Sequence, residues 1–202
     1  MPSPLTPRDP VTDHLLTPQN CALLIIDYQP IQVTSVASRA RRELVSNIVA
    51  VARVAKLYDL PVVLSTVNVK TGINQPMITQ ITDIVPGEPI DRTTVNAWED
   101  EDFYAAVKAT HRKKLLVCAL WTEVCLCFPV LDAIKENYEV YPIIDAVGGT
   151  SPEAHQLAVH RMIQAGAKPV SWVQLICELQ RDWQRKGTAG DFAKILFAVE
   201  GH

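Results

Sequence analysis

The sequence predicts an α/β fold in which a mostly parallel, doubly wound sheet carries helices on both faces. Short continuous apolar runs, which are typical of buried parallel strands, alternate along the chain with segments of helical periodicity. The 202 residues fit a single domain, and 48% of them are hydrophobic, which is enough for a full core. Neither an internal repeat nor a domain boundary interrupts the alternation. The chain is therefore treated as one wound sheet with its helices.

The elements follow from the apolar pattern in chain order. Strands are expected where apolar runs are short and continuous, at residues 21–27, 60–67, 114–120, 140–144 and 169–172. Helices are expected where apolar residues recur every three or four positions, at 39–58, 77–84, 99–110, 122–137, 153–165 and 172–185. Gly166 is expected to end the fifth of these helices as a C-terminal cap.

Two flanking segments differ in character from the predicted domain at 21–185. Residues 1–20 carry five prolines and are expected to form an irregular arm. Residues 186–202 form a weakly amphipathic tail, with apolar side chains that could pack on a neighbouring subunit. We therefore expect an arm, one domain and a tail.

Charge and cysteine content exclude several classes of function. The net charge is −3 without a block of like charge, so neither a nucleic acid nor an anionic membrane is an expected partner. No apolar run reaches the ~18–20 residues of a membrane span, and no signal-peptide pattern is seen, so a cytoplasmic protein is expected. Five cysteines without a CxxC spacing predict free, mostly buried thiols.

The candidate nucleophile is Cys125. A buried strand is expected to end at Leu120, and Thr122 is a favourable N-cap for the helix that follows. Cys125 then lies in the first helical turn, where free N–H groups and the helix dipole stabilise a thiolate. Such positions can lower a thiol pKa from about 8.5 to about 3.5–7.5, and the same N–H groups can hold an oxyanion. From position alone, a small buried core cysteine is an equally good interpretation.

Two charged residues are candidates for supporting that thiol. Asp27 directly follows the first strand, at the edge where parallel sheets bind ligands, and can exchange a proton with the thiol and a leaving amine. Arg92 can stabilise a thiolate or orient Asp27 by a charge-assisted hydrogen bond. Each has a simpler interpretation, a loop hydrogen bond for Asp27 and a surface ion pair with Glu88 or Asp91 for Arg92. Taken singly, the simpler interpretations are favoured.

Taken together, the motifs resemble the isochorismatase-like cysteine hydrolase superfamily, which includes nicotinamidases, N-carbamoylsarcosine amidases and YcaC-related hydrolases. The matching stretches are LLIIDYQ at 23–29, DRTTVNAWEDEDF at 91–103, WTEVCLCFP at 121–129 and IDAVGGT at 144–150. The segment CELQRDW at 177–183 is similar to a stretch near the end of the YcaC-related branch. The resemblance spans residues 19–185, and its specificity comes from the combination of TEVC after a strand with IIDYQ upstream.

The resemblance implies a three-layer α/β/α sandwich of Rossmann-like topology, a homo-oligomer and an Asp–Lys–Cys triad. On the matching positions, Cys125 is the nucleophile and Asp27 the acid and base. No lysine precedes NAWED, so Arg92 is the nearest equivalent, although an ungapped match to the YcaC-related branch can instead select Asp91. Arginine does not exchange its proton, so its role would be electrostatic. The resemblance also implies a cis Leu120–Trp121 peptide bond and an oxyanion hole formed by the N–H groups of Trp121 and Cys125.

Two departures from the family pattern narrow the expected activity. The segment 66–72 lacks the carboxylate and histidines with which nicotinamidases bind a metal, so no metal is expected. Isochorismatases proper do not use the cysteine, which this chain has. The resemblance therefore implies cleavage of a small amide-like or ester substrate through a thioester. The alternatives are a thiol-sensing or non-catalytic member of the same fold and a plain binding domain.

Residues close to the triad in the chain are assigned to the substrate pocket. They are Gln29, Asn96, Trp98 and Thr122. For Trp98, packing in the core is an equally good interpretation. Gly148-Gly149 does not fit a dinucleotide-binding pattern, so no cofactor is expected. His155 and His160 are five residues apart on a helix, should not share a metal, and are interpreted as solvated or interface residues.

Overall fold

A five-stranded parallel sheet forms the centre of the computed structural model, which describes residues 8–200. The strands are β1 (Cys21–Ile26), β2 (Val62–Val67), β3 (Ile90–Arg92), β4 (Lys114–Ala119) and β5 (Glu139–Pro142). Their order across the sheet is β3-β2-β1-β4-β5, and all neighbouring pairs are parallel. Every residue of β1 and β4 is buried. The predicted α/β fold is confirmed.

Helices cover the sheet in two layers. The helices are α1 (Pro30–Ser35), α2 (Arg41–Leu57), α3 (Thr79–Thr82), α4 (Glu101–Ala109), α5 (Cys127–Lys135), α6 (Pro152–Ala165), α7 (Trp172–Gln180) and α8 (Ala189–Glu200). In one layer, α2 contacts α1, α3, α7 and α8, while in the other α5 contacts α6. The buried side chains between these layers and the sheet form one continuous core.

The strand order creates a crevice between β1 and β4. From β1 the chain winds outward through β2 to β3, and it then returns to the other side of β1 as β4. At such a reversal the loops leave the two central strands in opposite directions, which opens a ligand-binding crevice beyond their carboxyl ends. Because Ile26 pairs with Ala119, the residues that follow β1 and β4 enter this crevice side by side.

Several elements differ from the sequence prediction, among them the helix expected to reach Arg185, which ends at Gln180. The strand β3 and the helix α1 were not expected, because three and six residues are too short to show a period. The strand predicted at 169–172 is reduced to a single bridge between Val170 and Ile143. The helix predicted at 122–137 is divided into a π-helical turn at Thr122–Leu126 and α5, with Pro129 in the first turn of α5, where its missing N–H is tolerated. Gly166 ends α6 with a φ of 109°, as predicted.

The arm and the tail are both attached to the domain. The described part of the arm is irregular, and the Lys114 ammonium holds it by donating to the carbonyls of Asp13, His14 and Leu15. The tail contains α8, which contacts α2 and α7 of the same chain. Phe192 and Leu196 of the tail are buried within the chain, whereas Phe197 is exposed, and packing of the tail on a neighbouring subunit stays a prediction. Residues 1–7 and 201–202 of these segments lie outside the described residues.

Within residues 8–200, none of the helices combines the length and the hydrophobicity that crossing a bilayer requires.

Candidate active site

Asp27 directly follows β1 in an unusual backbone conformation. Its φ is 61°, in the left-handed region that residues with a Cβ rarely adopt and that is enriched at functional sites. The conformation is fixed from both sides, since Asp27 N–H donates to Ser65 O at 2.9 Å and Gln29 N–H donates to Asp27 O at 2.8 Å. The residue is fully buried. A carboxylate in this position needs a partner, because an unpaired buried charge is very costly.

Arg92 is that partner. Its Nη1 donates to Asp27 Oδ1 and its Nη2 to Asp27 Oδ2, each at 2.7 Å, which is the bidentate geometry of a strong charge-assisted pair. Both side chains are fully shielded from solvent. The guanidinium also donates to Ser65 Oγ and Thr66 O at 3.1 Å and to Val95 O at 3.3 Å. Arg92 thus reaches across β2 from the end of β3 and is not the surface residue of the simpler interpretation.

Cys125 lies in the π-helical turn after β4, which we call the Cys125 turn (Thr122–Leu126). The side chain is 8% exposed, so the sulfur is close to the surface without being free in solvent. The pKa of the thiol responds to three of the groups singled out from the sequence, which places them around it: the hydrogen-bonding Asp27 carboxylate, the backbone N–H of Trp121 and, through its charge, Arg92. The crevice between β1 and β4 therefore brings the three candidate catalytic residues together.

The pKa of the Cys125 thiol is raised above its ordinary value, contrary to the sequence-based expectation. Burial is the largest cause, and the negative charge and hydrogen bonding of Asp27 add to it. Arg92 and the Trp121 N–H oppose the increase without reversing it. The expectation failed because it considered the helix N-terminus alone. The resting group is therefore a neutral thiol that faces a carboxylate.

The pKa of Arg92 is also raised. Burial alone would lower it, but the hydrogen bonds and the charge of Asp27 outweigh that effect. The guanidinium therefore stays charged throughout the range in which proteins are stable, and it serves as a fixed positive charge beside the carboxylate and the thiol.

The backbone next to the thiol contains the cis peptide bond that the resemblance implies. The Leu120–Trp121 peptide bond is cis. The Trp121 N–H lies near enough to the Cys125 sulfur to lower the pKa of the thiol, and the Trp121 indole donates to Ser35 Oγ at 2.9 Å. The assignment of the Trp121 and Cys125 N–H groups to an oxyanion hole remains a prediction.

Two of the predicted pocket residues use their side-chain amides in hydrogen bonds to other parts of the protein. Gln29 is fully buried, donates to the carbonyls of Val67 and Gln75 at 3.1 and 2.6 Å, and accepts from Val67 N–H at 3.0 Å. Asn96 caps the turn at Ala97–Glu99 and donates to Asp132 Oδ2 at 2.7 Å. These side chains fix the loops around the site, which leaves little capacity to bind a substrate.

Trp98 and Thr122 also have other partners. The Trp98 ring packs edge-on against Tyr104 and Tyr138, and its Nε1 donates to Glu136 at 2.9 Å, so it joins α4 to α5. This arrangement favours the core-packing interpretation of Trp98. Thr122 does not act as an N-cap, because Trp121 holds that position without a side-chain bond. The Thr122 hydroxyl instead lies 2.8 Å from Nδ1 of His155, a half-buried residue for which the sequence predicts a solvated or interface position.

The structure also bears on the question of a metal site. In the part of the chain that the structure describes, no three His, Cys, Asp or Glu side chains are grouped to hold a metal ion. The expectation of no metal and no cofactor remains a prediction.

Comparison with known proteins adds an independent line of support. A family model described as the isochorismatase domain matches residues 21–174. The chain belongs to the isochorismatase family. Within this family it is 36% identical over 171 residues to a protein of Escherichia coli K12 named probable hydrolase YcaC. The matched region covers 84% of this chain and 82% of the relative. The expected membership of the YcaC-related branch is confirmed.

Solved structures of the isochorismatase family agree with the fold. YcaC from Pseudomonas aeruginosa, solved with hexane-2,5-diol and covalent acrylamide, superposes with a TM-score of 0.82 at 31% identity and covers 94% of this chain and 98% of that one. The E. coli YcaC structure, described as an octameric hydrolase of unknown specificity, gives a TM-score of 0.82 at 32% identity with the same coverage. Both similarities extend beyond the matched domain to most of the chain.

Proposed function

We propose that this isochorismatase-family protein is a cysteine hydrolase that cleaves a small amide-like or ester substrate through a covalent thioester. One observation carries the proposal: a buried carboxylate, held by two hydrogen bonds from Arg92, faces the Cys125 thiol at the crevice between β1 and β4. The membership of the YcaC branch supports it, since the E. coli relative is named a probable hydrolase.

In the first half-reaction, Cys125 Sγ attacks the substrate carbonyl carbon while Asp27 takes the thiol proton. The N–H groups of Trp121 and Cys125 hold the resulting oxyanion. As the tetrahedral intermediate collapses, the carbon–nitrogen or carbon–oxygen ester bond breaks, and Asp27 gives its proton to the departing amine or alcohol. An acyl-thioester of Cys125 remains.

In the second half-reaction, a water molecule attacks the thioester carbonyl while Asp27 takes a proton from that water. Collapse of the second intermediate breaks the carbon–sulfur bond and releases the carboxylic acid. The proton on Asp27 returns to the sulfur, which restores the starting state. Arg92 exchanges no proton and keeps the carboxylate oriented in both halves.

The raised thiol pKa favours hydrolysis over redox sensing. A redox-sensing cysteine needs a low pKa and good solvent access, because the thiolate is the species that oxidants attack. Cys125 is buried with a raised pKa, and it has a carboxylate in position to remove its proton during attack. These features support the hydrolase over the sensor.

We further propose that the protein works as a homo-oligomer in the cytoplasm on a small-molecule substrate. The octameric state of E. coli YcaC supports oligomerisation, and five free cysteines are consistent with a reducing compartment. The similarity of P. aeruginosa YcaC, which holds covalent acrylamide, supports a substrate of small size with an amide-like carbonyl.

Turnover of a panel of small carboxamides and esters tests the proposal. Cys125→Ala should abolish hydrolysis of any substrate found, since no other group can form the thioester. Cys127→Ala is the matched control, because Cys127 is a buried cysteine two residues along that the mechanism does not use. Hydrolysis by Cys125→Ala at the rate of the unmodified protein would refute the mechanism.

A further inference from the structure

A side-chain hydrogen bond joins the Cys125 turn to α6. Thr122 Oγ1 lies 2.8 Å from His155 Nδ1, and Thr122 is fully buried while His155 is half-buried. The other polar groups of Thr122 bind backbone, since its N–H donates to Gly148 O at 3.0 Å and its carbonyl accepts from Cys127 N–H. Among the described residues, His155 is thus the only side chain that forms a hydrogen bond with Thr122.

A second contact lies beside the first. Glu123 Oε1 accepts from Thr150 N–H at 2.9 Å and from Thr150 Oγ1 at 2.6 Å. Between them, a Cβ added to Gly149 would lie 2.5 Å from Glu123 Oε2 and 3.1 Å from His155 Cβ. Close contacts therefore join three segments behind the nucleophile: the Cys125 turn, the loop at 147–150 and the start of α6. The position of Gly149 has no room for a larger residue.

The same loop also contacts the segment that follows Asp27. Ala37 N–H donates to Gly149 O at 3.0 Å, and Gly149 N–H donates to Ser38 Oγ at 2.9 Å. This segment is the continuation of α1, which begins three residues after Asp27. The loop at 147–150 therefore joins the two sides of the crevice, one carrying the nucleophile and the other the carboxylate.

We propose that His155 is a positioning residue that, through Thr122, holds the Cys125 turn so that the thiol meets the Asp27 carboxylate and the Trp121 N–H. The purpose of this positioning rests on the proposed hydrolase function, but the positioning itself can be measured without a substrate. The role assigned to Thr122 changes accordingly from a pocket residue to the link between His155 and the turn.

The surroundings of His155 favour the neutral imidazole that this role requires. Burial lowers its pKa below the ordinary value, the nearby charge of Arg39 acts in the same direction, and Glu123 acts in the opposite one. A neutral ring has one nitrogen free to accept, so the Thr122 hydroxyl can donate to Nδ1 while Nε2 carries the proton. The Thr122 hydroxyl then has a fixed orientation.

The rate at which acrylamide alkylates Cys125, followed by peptide mass spectrometry, tests the proposal. Cys177 is exposed on α7 and serves as an internal reference in every sample. His155→Leu should slow Cys125 alkylation about tenfold relative to Cys177, because the turn loses a buried hydrogen bond and the alignment that depends on it. His155→Asn, whose amide can replace the Nδ1 contact, should restore most of the rate. His160→Leu, an exposed change on the same helix, should have no effect.

Thr122→Val removes the hydroxyl that contacts His155 Nδ1. This variant tests the proposal even if His155→Leu does not fold. It should slow alkylation by the same factor, and the double variant should be no slower than either single variant, because both remove one interaction. Unchanged or faster alkylation in Thr122→Val, or no recovery in His155→Asn, would overturn the proposal. Absence of hydrolysis on every substrate would count against the proposed function and would leave this result intact.

Discussion

At the residue scale, the Arg92–Asp27 pair is the contact of the site whose disruption should cost the most stability. Both side chains are fully shielded from water, and the guanidinium donates one hydrogen bond to each oxygen of the carboxylate. An intact buried pair adds little net stability, but removal of one partner leaves an uncompensated buried charge. The pair is thus best understood as a device that fixes the carboxylate opposite Cys125.

Arg92→Met should therefore destabilise the protein strongly. We expect a loss of about 3–5 kcal/mol in the free energy of unfolding, because Asp27 stays buried without its partner. Urea unfolding followed by circular dichroism measures this quantity. Arg53→Met is the matched control, since Arg53 is exposed on α2 and should change stability by less than about 0.5 kcal/mol. A similar small effect of Arg92→Met would contradict the buried ion pair.

The pH dependence of Cys125 alkylation should follow from the raised thiol pKa. Below that pKa the thiolate fraction rises tenfold per pH unit, so the alkylation rate of Cys125 should still be rising at pH 9. In the unfolded chain the alkylation rate should level off above about pH 8.5–9. Asp27→Asn removes the charge and the hydrogen bond that raise the pKa, and its profile should shift to lower pH. A shift to higher pH would contradict the assigned cause.

At the element scale, short segments and chain connections position the site. The strand β3 has only three residues, yet it ends at Arg92 and delivers the guanidinium across β2. The preceding segment contains several prolines and glycines, and the sequence around β3 has no periodic pattern that predicts a strand. The site thus depends on elements whose existence is set by tertiary contacts more than by local sequence.

The connection between the arm and β4 offers a test at this scale. Lys114 is 4% exposed and donates to three carbonyls of the arm at 2.6, 2.8 and 3.0 Å. Lys114→Met should cost about 1–3 kcal/mol in unfolding free energy, because the buried carbonyl of Asp13 and the part-buried carbonyls of His14 and Leu15 lose a charged donor, although Asn20 Nδ2 still donates to the first and the last of them. It should also make the arm sensitive to limited proteolysis. Lys113→Met, at the exposed neighbouring position, is the control and should leave the arm protected.

The sequence predicted the proximity of Asp27 and Cys125 better than it predicted the contacts of the expected pocket residues, for a physical reason. Asp27 and Cys125 follow long buried strands, and parallel strands end at a common edge, so the pattern of apolar runs was enough to bring them together. Gln29, Trp98 and Thr122 lie in loops or turns, where the direction of a side chain depends on partners far away in the chain. Their partners Val67, Glu136 and His155 could not be inferred from one sequence.

At the scale of the whole molecule, the family relationship predicts an assembly. The similarity to octameric E. coli YcaC extends over 94% of this chain. Large apolar side chains remain exposed on α6, among them Leu157 and Ile163, and exposed apolar groups of this size favour association when they lie together. Light scattering after size-exclusion chromatography should give a mass that is a multiple of the monomer's. A monomer at micromolar concentration would contradict the proposed homo-oligomer.

Acid quenching during turnover, followed by peptide mass spectrometry, tests the covalent mechanism most directly. With any amide or ester that the protein hydrolyses, the peptide containing Cys125 should transiently gain the mass of the substrate's acyl group, and the adduct should disappear as substrate is consumed. Asp27→Asn should greatly reduce both the formation and the loss of this adduct. Turnover at full rate with the acyl group absent from Cys125 at every quench time, or located on another residue, would contradict the account.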